Sequence, residues 1–369
     1  MANSTDVFVI GGGPAGLAAA IAARQQGLRV VVADGARPPI DKACGEALMP
    51  DAITALETLG VAVPAVDACP LRGVRFLSCG SSAETVFPSD TSGLSIRRTT
   101  LHRIMNERAA ALGAELLWQT TVTGISSDGV QLGERSIRAR WIVGADGGNS
   151  RVRRWANLEA HSRAGLRYAF RRHYRTQPWT DRMEIYWGKR VQGYATAVST
   201  EQVCVAVASR DSTLRLEEAL GELPELKARL GGAEPASAEK GSATANHKLK
   251  RVYRGNVALI GDASGTVDAI TGEGLGLSFR QAVALASCFR SGTLSRYQET
   301  HRRLALRPLL MARLMLTLDG HSRFQQRTLR VFRRQPEVFR RLLALHVGSR
   351  SPFHIALDGL TLGWGLLTA

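Results

Sequence analysis

The stretch DKACGEALMP, residues 41–50, sets Lys42, Cys44 and Glu46 around one glycine, Gly45. A thiol offers nucleophilic or redox chemistry, a carboxylate acid–base chemistry, and an ammonium a partner for anions; a cysteine is equally a small buried hydrophobe. A second group lies upstream: Gly11-x-Gly13-x-x-Gly16, with Pro14 and Ala15 between the last two glycines. Asp34 follows Gly16 by 18 residues. Glycines at that spacing let backbone approach a pyrophosphate, and an acid on the order of 20 residues later accepts hydrogen bonds from ribose hydroxyls. Downstream stand Asp146-Gly147, Asp262, and the run Gly272-Glu273-Gly274-Leu275.

The flanking sequence supplies the elements to hold these groups. Val7–Ile10 reads as a short buried strand, Leu17–Ala23 as a small-residue helix, and Val30–Ala33 as a second strand ending in Asp34. Gly11 serves the tight turn, Gly13 the close approach, and Gly16 the packing of helix on strand. The helix N-terminus offers free N–H groups and the positive end of its dipole to phosphate. An acid at Asp34 repels a 2′-phosphate, which favours FAD or NAD over NADP. RWIVGADGGNSRVRR (140–154) and RGNVALIGDASGTVDAITGEGLGLSFRQA (254–282) each read as a strand running into a glycine-rich turn.

Together the three segments resemble the FAD fingerprints of the flavoprotein monooxygenase and geranylgeranyl reductase superfamily, which has a para-hydroxybenzoate hydroxylase-like fold. The resemblance spans roughly residues 5–290. It implies that Asp262 accepts from ribityl hydroxyls and that Asp146-Gly147 sits near the pyrophosphate. It also brings Gly272, Gly274 and Leu275 to the flavin pyrimidine edge. Within GLSIRRTTLHRIMNERAAALGAEL (93–116), Arg98 becomes a flavin contact, Val122 an adenine neighbour, and His102 a structural residue. The Cys-Gly-Glu loop is similar to the Cys-Gly-Glu-Gly-Leu stretch of geranylgeranyl reductases, with Ala47 in place of the second glycine. It is thereby expected over the flavin, with Lys42, Cys44 and Gly45 touching cofactor and Cys44 and Glu46 as catalytic candidates. Two departures weaken prenyl-chain reduction: GYATAVS (193–199) where such reductases carry Gly-Tyr-x-Trp-x-Phe-Pro, and Ala269 where the third fingerprint usually has proline.

The expected fold is α/β (α+β): a Rossmann-type FAD-binding domain with a parallel sheet, an interleaved antiparallel substrate sheet, and a helical C-terminal region. The domains are assigned as 1–70, 93–157 and 250–298 for FAD; 71–92 and 158–249 for substrate; and 299–369 for the basic helices. No second glycine fingerprint follows a strand, so NAD(P)H is expected as a transient reductant. The activity expected first is a single-component monooxygenase consuming O2 and acting on a lipophilic or aromatic small molecule. Reduction of isoprenoid double bonds and a non-enzymatic flavin-binding adaptor are the alternatives.

The 369 residues carry a formal charge of +16, from 42 arginines but six lysines. No helix-turn-helix, zinc-finger or RNP pattern accompanies that charge, so nucleic acid is not an expected partner. Five cysteines without a C-x-x-C pair suit a reducing compartment, and the N-terminus reads as no signal peptide, giving a cytoplasmic expectation. Residues 301–369 hold twelve arginines against Asp319, Glu337 and Asp358. Arg323, Arg327, Arg330 and Arg334 share one helical face. It reads as a solvated face, or as peripheral contact with an anionic membrane.

Overall fold

The computed structural model describes residues 3–88, 91–159 and 163–350; the end of the expected helical region, 351–369, lies outside the described residues. The first sheet runs in the order Tyr253–Arg254, Val257–Leu259, Arg135–Gly144, Ser4–Ile10, Val30–Asp34, Glu115–Trp118, parallel throughout except for the antiparallel edge strand Tyr253–Arg254. Val9 is in register with Val32 on one side and Val143 on the other. In the central strands, residues 7–10, 30–33 and 141–143 are continuous buried apolar runs because both faces are covered there. Helices α1 (Pro14–Gln25), α2 (Pro50–Thr58) and α3 (Arg98–Ala111) pack with the later α7 (Gly274–Ser291) into the core on one face. The short α4 (Arg151–Trp155) and the strands Gly124–Ile125 and Gly129–Leu132 close the other.

The second sheet has seven strands, ordered Lys240–His247, Arg163–Arg175, Gln202–Ser209, Val191–Ser199, Arg182–Trp187, Gly73–Ser78, Ser81–Val86. All pairs are antiparallel except Arg182–Trp187 with Gly73–Ser78. Its outer face carries α5 (Leu216–Gly221) and α6 (Pro224–Leu230), whose leucines pack on Val203, Val205 and Val207. Among the described residues three helices follow α7 (Gly274–Ser291): α8 (Ser295–Leu318), α9 (Ser322–Arg334) and α10 (Pro336–His346). Pro336 occupies the first turn of α10, where its missing N–H costs no helical hydrogen bond.

The C-terminal helices do more than present a solvated face. Leu329, Phe332, Phe339 and Leu343 are buried against Phe76, Ile185 and Trp187 of the second sheet, and Phe332 stacks on Phe339 with ring centres 4.2 Å apart. The arginines at 323, 327, 330 and 334 stay on the exposed side of α9.

Candidate active site

Residues from both large sheets line one cavity of about 650 Å³. Gly11, Gly13, Pro14, Ala15, Asp34, Lys42, Cys44, Gly45, Glu46, Arg98, Val122, Asp146, Gly147, Asp262, Gly272, Gly274 and Leu275 all border it. Gly16 does not. A Cβ there would lie 1.8 Å from the Gly11 carbonyl oxygen, so this glycine serves helix-on-strand packing. Gly11, at φ +108°, faces the Ala145 carbonyl, which a Cβ would meet at 2.4 Å.

The cradle fits a long dinucleotide. At Gly13, Gly45, Gly147, Gly272 and Gly274 no heavy atom lies within 4 Å of where a Cβ would stand, so backbone faces open space along the cavity. Arg98 brings a buried Nε without a partner to the same wall. FAD would be held by the Gly11–Gly16 loop and α1 N-terminus at the phosphates, with Asp34 and Val122 at the adenosine end. Asp262 and the Gly272–Leu275 turn would meet the flavin half.

Several carboxylates shape the loops that they border. Asp34 accepts from the Gly12 and Ala36 amides, both at 2.7 Å. Asp146 accepts from Ser150 Oγ at 2.5 Å and from the Arg151 and Val152 amides, fixing the start of α4. Asp262 accepts from Lys42 Nζ at 2.9 Å, a half-exposed pair inside the cavity. His102 is fully buried, and its Nε2 lies 2.9 Å from the Gly12 carbonyl. Burial pushes its pKa below the usual histidine range, so the neutral ring donates from Nε2 and ties α3 to the phosphate loop.

The Cys-Gly-Glu loop is clamped from below. Glu46 sits at φ +59° and is only 2 % exposed. One carboxylate oxygen accepts from the Arg98 amide at 2.9 Å, at the start of α3. The other lies 2.7 Å from His173 Nε2. Arg97 and Arg171 each place a guanidinium nitrogen within 3.3 Å and 3.2 Å of His173 Nδ1, beside Ser237 Oγ at 2.8 Å. Guanidinium groups only donate, so Nδ1 accepts and Nε2–H points at Glu46. Arg171 is also paired with Asp41 at the head of the loop. With both oxygens engaged, the Glu46 carboxylate holds the loop in place. Cys204 is buried beneath it, its thiol 3.7 Å from the Cys44 carbonyl, and burial pushes that thiol well above its ordinary pKa.

Sequence reasoning missed Arg171, His173 and Arg167. All three lie on the inward face of one arginine-rich strand, at the i, i+4, i+6 positions of its period-two alternation. Buried Arg167 reaches Asp268 at 3.2 Å, and Asp268 caps the flavin-side turn by accepting from the Ile270 amide at 3.1 Å. Tyr194 donates to the Ile270 carbonyl at 3.1 Å from the second sheet. Glu273 lies between Arg307 of α8 and His346 of α10, at 3.4 Å and 3.5 Å. A second, apolar cavity of about 70 Å³ adjoins the first, sharing Met183 and Thr271 as walls. Phe76, Trp187, Met311, Met315 and Phe332 enclose it.

A dinucleotide cradle, a loop laid over its far end and a sheet facing both define a flavin-dependent oxidoreductase. Residues 4–292 match the FAD binding domain model, and the chain belongs to that family. Over 80% of its length it is 28% identical to a menaquinone reductase of Mycolicibacterium smegmatis, covering 79% of that protein. Over 82% it is 29% identical to digeranylgeranylglycerophospholipid reductase 1 of Methanothermobacter thermautotrophicus, covering 81% of that protein. Among solved structures, a flavoprotein/dehydrogenase from Cytophaga hutchinsonii superposes with TM-score 0.80 at 18% identity, over 94% of this chain and 93% of that one. PqsL of Pseudomonas aeruginosa in complex with 2-aminobenzoylacetate gives 0.75 at 22%, over 89% and 99%. No helix among the described residues is long and apolar enough to cross a membrane.

Proposed function

We propose that this FAD-dependent oxidoreductase reduces carbon–carbon double bonds in a slender lipophilic substrate of the isoprenoid class, with NAD(P)H as transient reductant. The observation that carries the proposal is the narrow apolar pocket beside the flavin cavity. At about 70 Å³ it suits the end of a thin branched chain, while the roomier cavity holds cofactor and the reacting bond. The reductase relatives in two separate lineages support the same substrate class.

When bound and reduced, FAD supplies a hydride. Cys44 borders the cavity on the loop expected above the flavin, and its Sγ is the group to hold the proton that the second carbon receives. Water then restores the thiol. Glu46 and His173 are positioning residues: they fix the loop so that Cys44 faces the cofactor. Met183 and Thr271 stand where the two cavities meet and orient the chain.

Hydroxylation, which the sequence alone favours, is the second reading. Its support is the strand GYATAVS, where Thr196 and Val198 stand in place of the large aromatic residues of prenyl reductases. The two reactions separate by product mass. The holoenzyme is given NAD(P)H, or chemically reduced under argon, together with an unsaturated isoprenoid quinone or glycerolipid. A product heavier by two hydrogens, formed equally under argon, is expected. A product heavier by one oxygen and formed only in air would overturn the proposal.

A further inference from the structure

The outer and inner faces of the last helices differ in chemistry. Outward, α9 exposes Arg323, Arg327, Arg330, Arg333 and Arg334, and α10 adds Arg340 and Arg341. No acid lies on α9, and Glu337 is the single acid on α10. Phe324, about half exposed at 48%, stands at the rim of the arginine face. Inward, the same two helices give Thr328, Phe332, Phe339, Leu342 and Leu343 to the wall of the apolar pocket. One pair of helices thus carries cations on one side and the substrate-chain pocket on the other.

We propose that the arginine face of α9 and α10 docks the enzyme on an anionic bilayer, bringing the apolar pocket to the lipid surface. The bilayer is favoured over a nucleic acid for two reasons. The charge is spread over two neighbouring helices with an aromatic residue at its edge, and the pocket it covers suits a lipid chain. Guanidinium forks pair bidentately with phosphate headgroups. The apolar side of both helices is already spent on the protein core, so the attachment is electrostatic and salt-sensitive, without insertion of a helix into the bilayer. The purpose of docking rests on the lipophilic substrate proposed above; the binding itself does not.

The test is co-sedimentation of the FAD-loaded protein with vesicles of phosphatidylcholine, alone or mixed with phosphatidylglycerol, across a salt series. Binding to the mixed vesicles alone, lost at high salt, is expected. In a variant with Arg323→Glu, Arg333→Glu and Arg334→Glu, partitioning should fall at least about tenfold, with FAD content and thermal midpoint unchanged. Equal binding to neutral vesicles, no binding to anionic ones, or an unaffected variant would overturn the proposal. Displacement from the vesicles by duplex DNA at matched ionic strength would replace the membrane with a nucleic acid. If the substrate class is wrong, vesicle binding survives while reduction of isoprenoids is absent, so the two failures are distinguishable.

Discussion

His173 Nε2 lies 2.7 Å from Glu46 Oε2, joining residues 127 positions apart in the chain and both sealed from solvent. The contact ties a strand of the second sheet to the loop over the cofactor cavity. Substrate-facing and cofactor-facing elements therefore share one buried hinge point, held in a single tautomer by two guanidinium groups.

Replacing Glu46 by Gln puts an amide NH2 against either the Arg98 amide or His173 Nε2–H. The ring cannot flip its tautomer to compensate, because Nδ1 faces donors. We expect a loss of about 1–3 kcal/mol for one unmet buried donor, read as a lower thermal midpoint of the holoenzyme. Turnover should fall more than FAD affinity. A variant as stable and active as the wild type would remove Glu46 from its positioning role.

Cys44→Ala tests the neighbouring thiol. Gly45 and the loop backbone remain, so bound FAD should be retained. Turnover should drop by on the order of a hundredfold to ten-thousandfold, as for loss of a proton donor. Unchanged turnover would leave Cys44 as a packing residue.

Tyr194→Phe deletes the hydroxyl that donates to the Ile270 carbonyl. The orphaned carbonyl is buried, and the expected cost is about 1–3 kcal/mol. Because the bond holds the turn that precedes Gly272, FAD should also dissociate faster, measured by flavin fluorescence on dilution. Identical release rates would show that the turn is fixed without this tyrosine.

His301 gives a pH signature. Its Nε2 is 2.9 Å from Ser264 Oγ behind the third fingerprint, and burial pushes its pKa down from 6.5 to about 4. The native ring is neutral, so the unfolded chain takes up the proton first as pH falls. The stabilisation is complete above about 6.5 and is lost as pH drops towards 4, by at most about 3 kcal/mol. Thermal midpoints across this window should fall less steeply in His301→Gln. Parallel curves for both proteins would assign the acid sensitivity elsewhere.

The phosphate loop was legible in sequence because its glycine spacing is a local signature: Gly16 is crowded by the Gly11 carbonyl five residues before it, although the Ala145 carbonyl that crowds Gly11 lies far along the chain. The two-sheet plan followed from those motifs through the family resemblance. Arg171 and His173 were not legible. An inward-facing arginine has the same letter as a surface one, and only the register with Gln202–Ser209 shows which side it takes. The same limit applied to α9, where the arginine stripe was plain but the partners of Leu329 and Phe332 lay some 150 and 250 residues upstream. The apolar pocket that reorders the two candidate reactions is made by that packing, and no single stretch encodes it.

The cofactor cavity begins at Ile10 and is closed by Pro308. A ribosome must therefore deliver three hundred residues before the walls of this site exist together. The first strand waits for Val257–Leu259 and the edge strand Tyr253–Arg254 to complete its sheet, and Glu273 waits for Arg307. A nascent chain that stops short of α8 lacks part of this wall, and the expectation is that it stays colourless. Yellow colour in the purified protein would then report synthesis past Pro308 as well as bound cofactor.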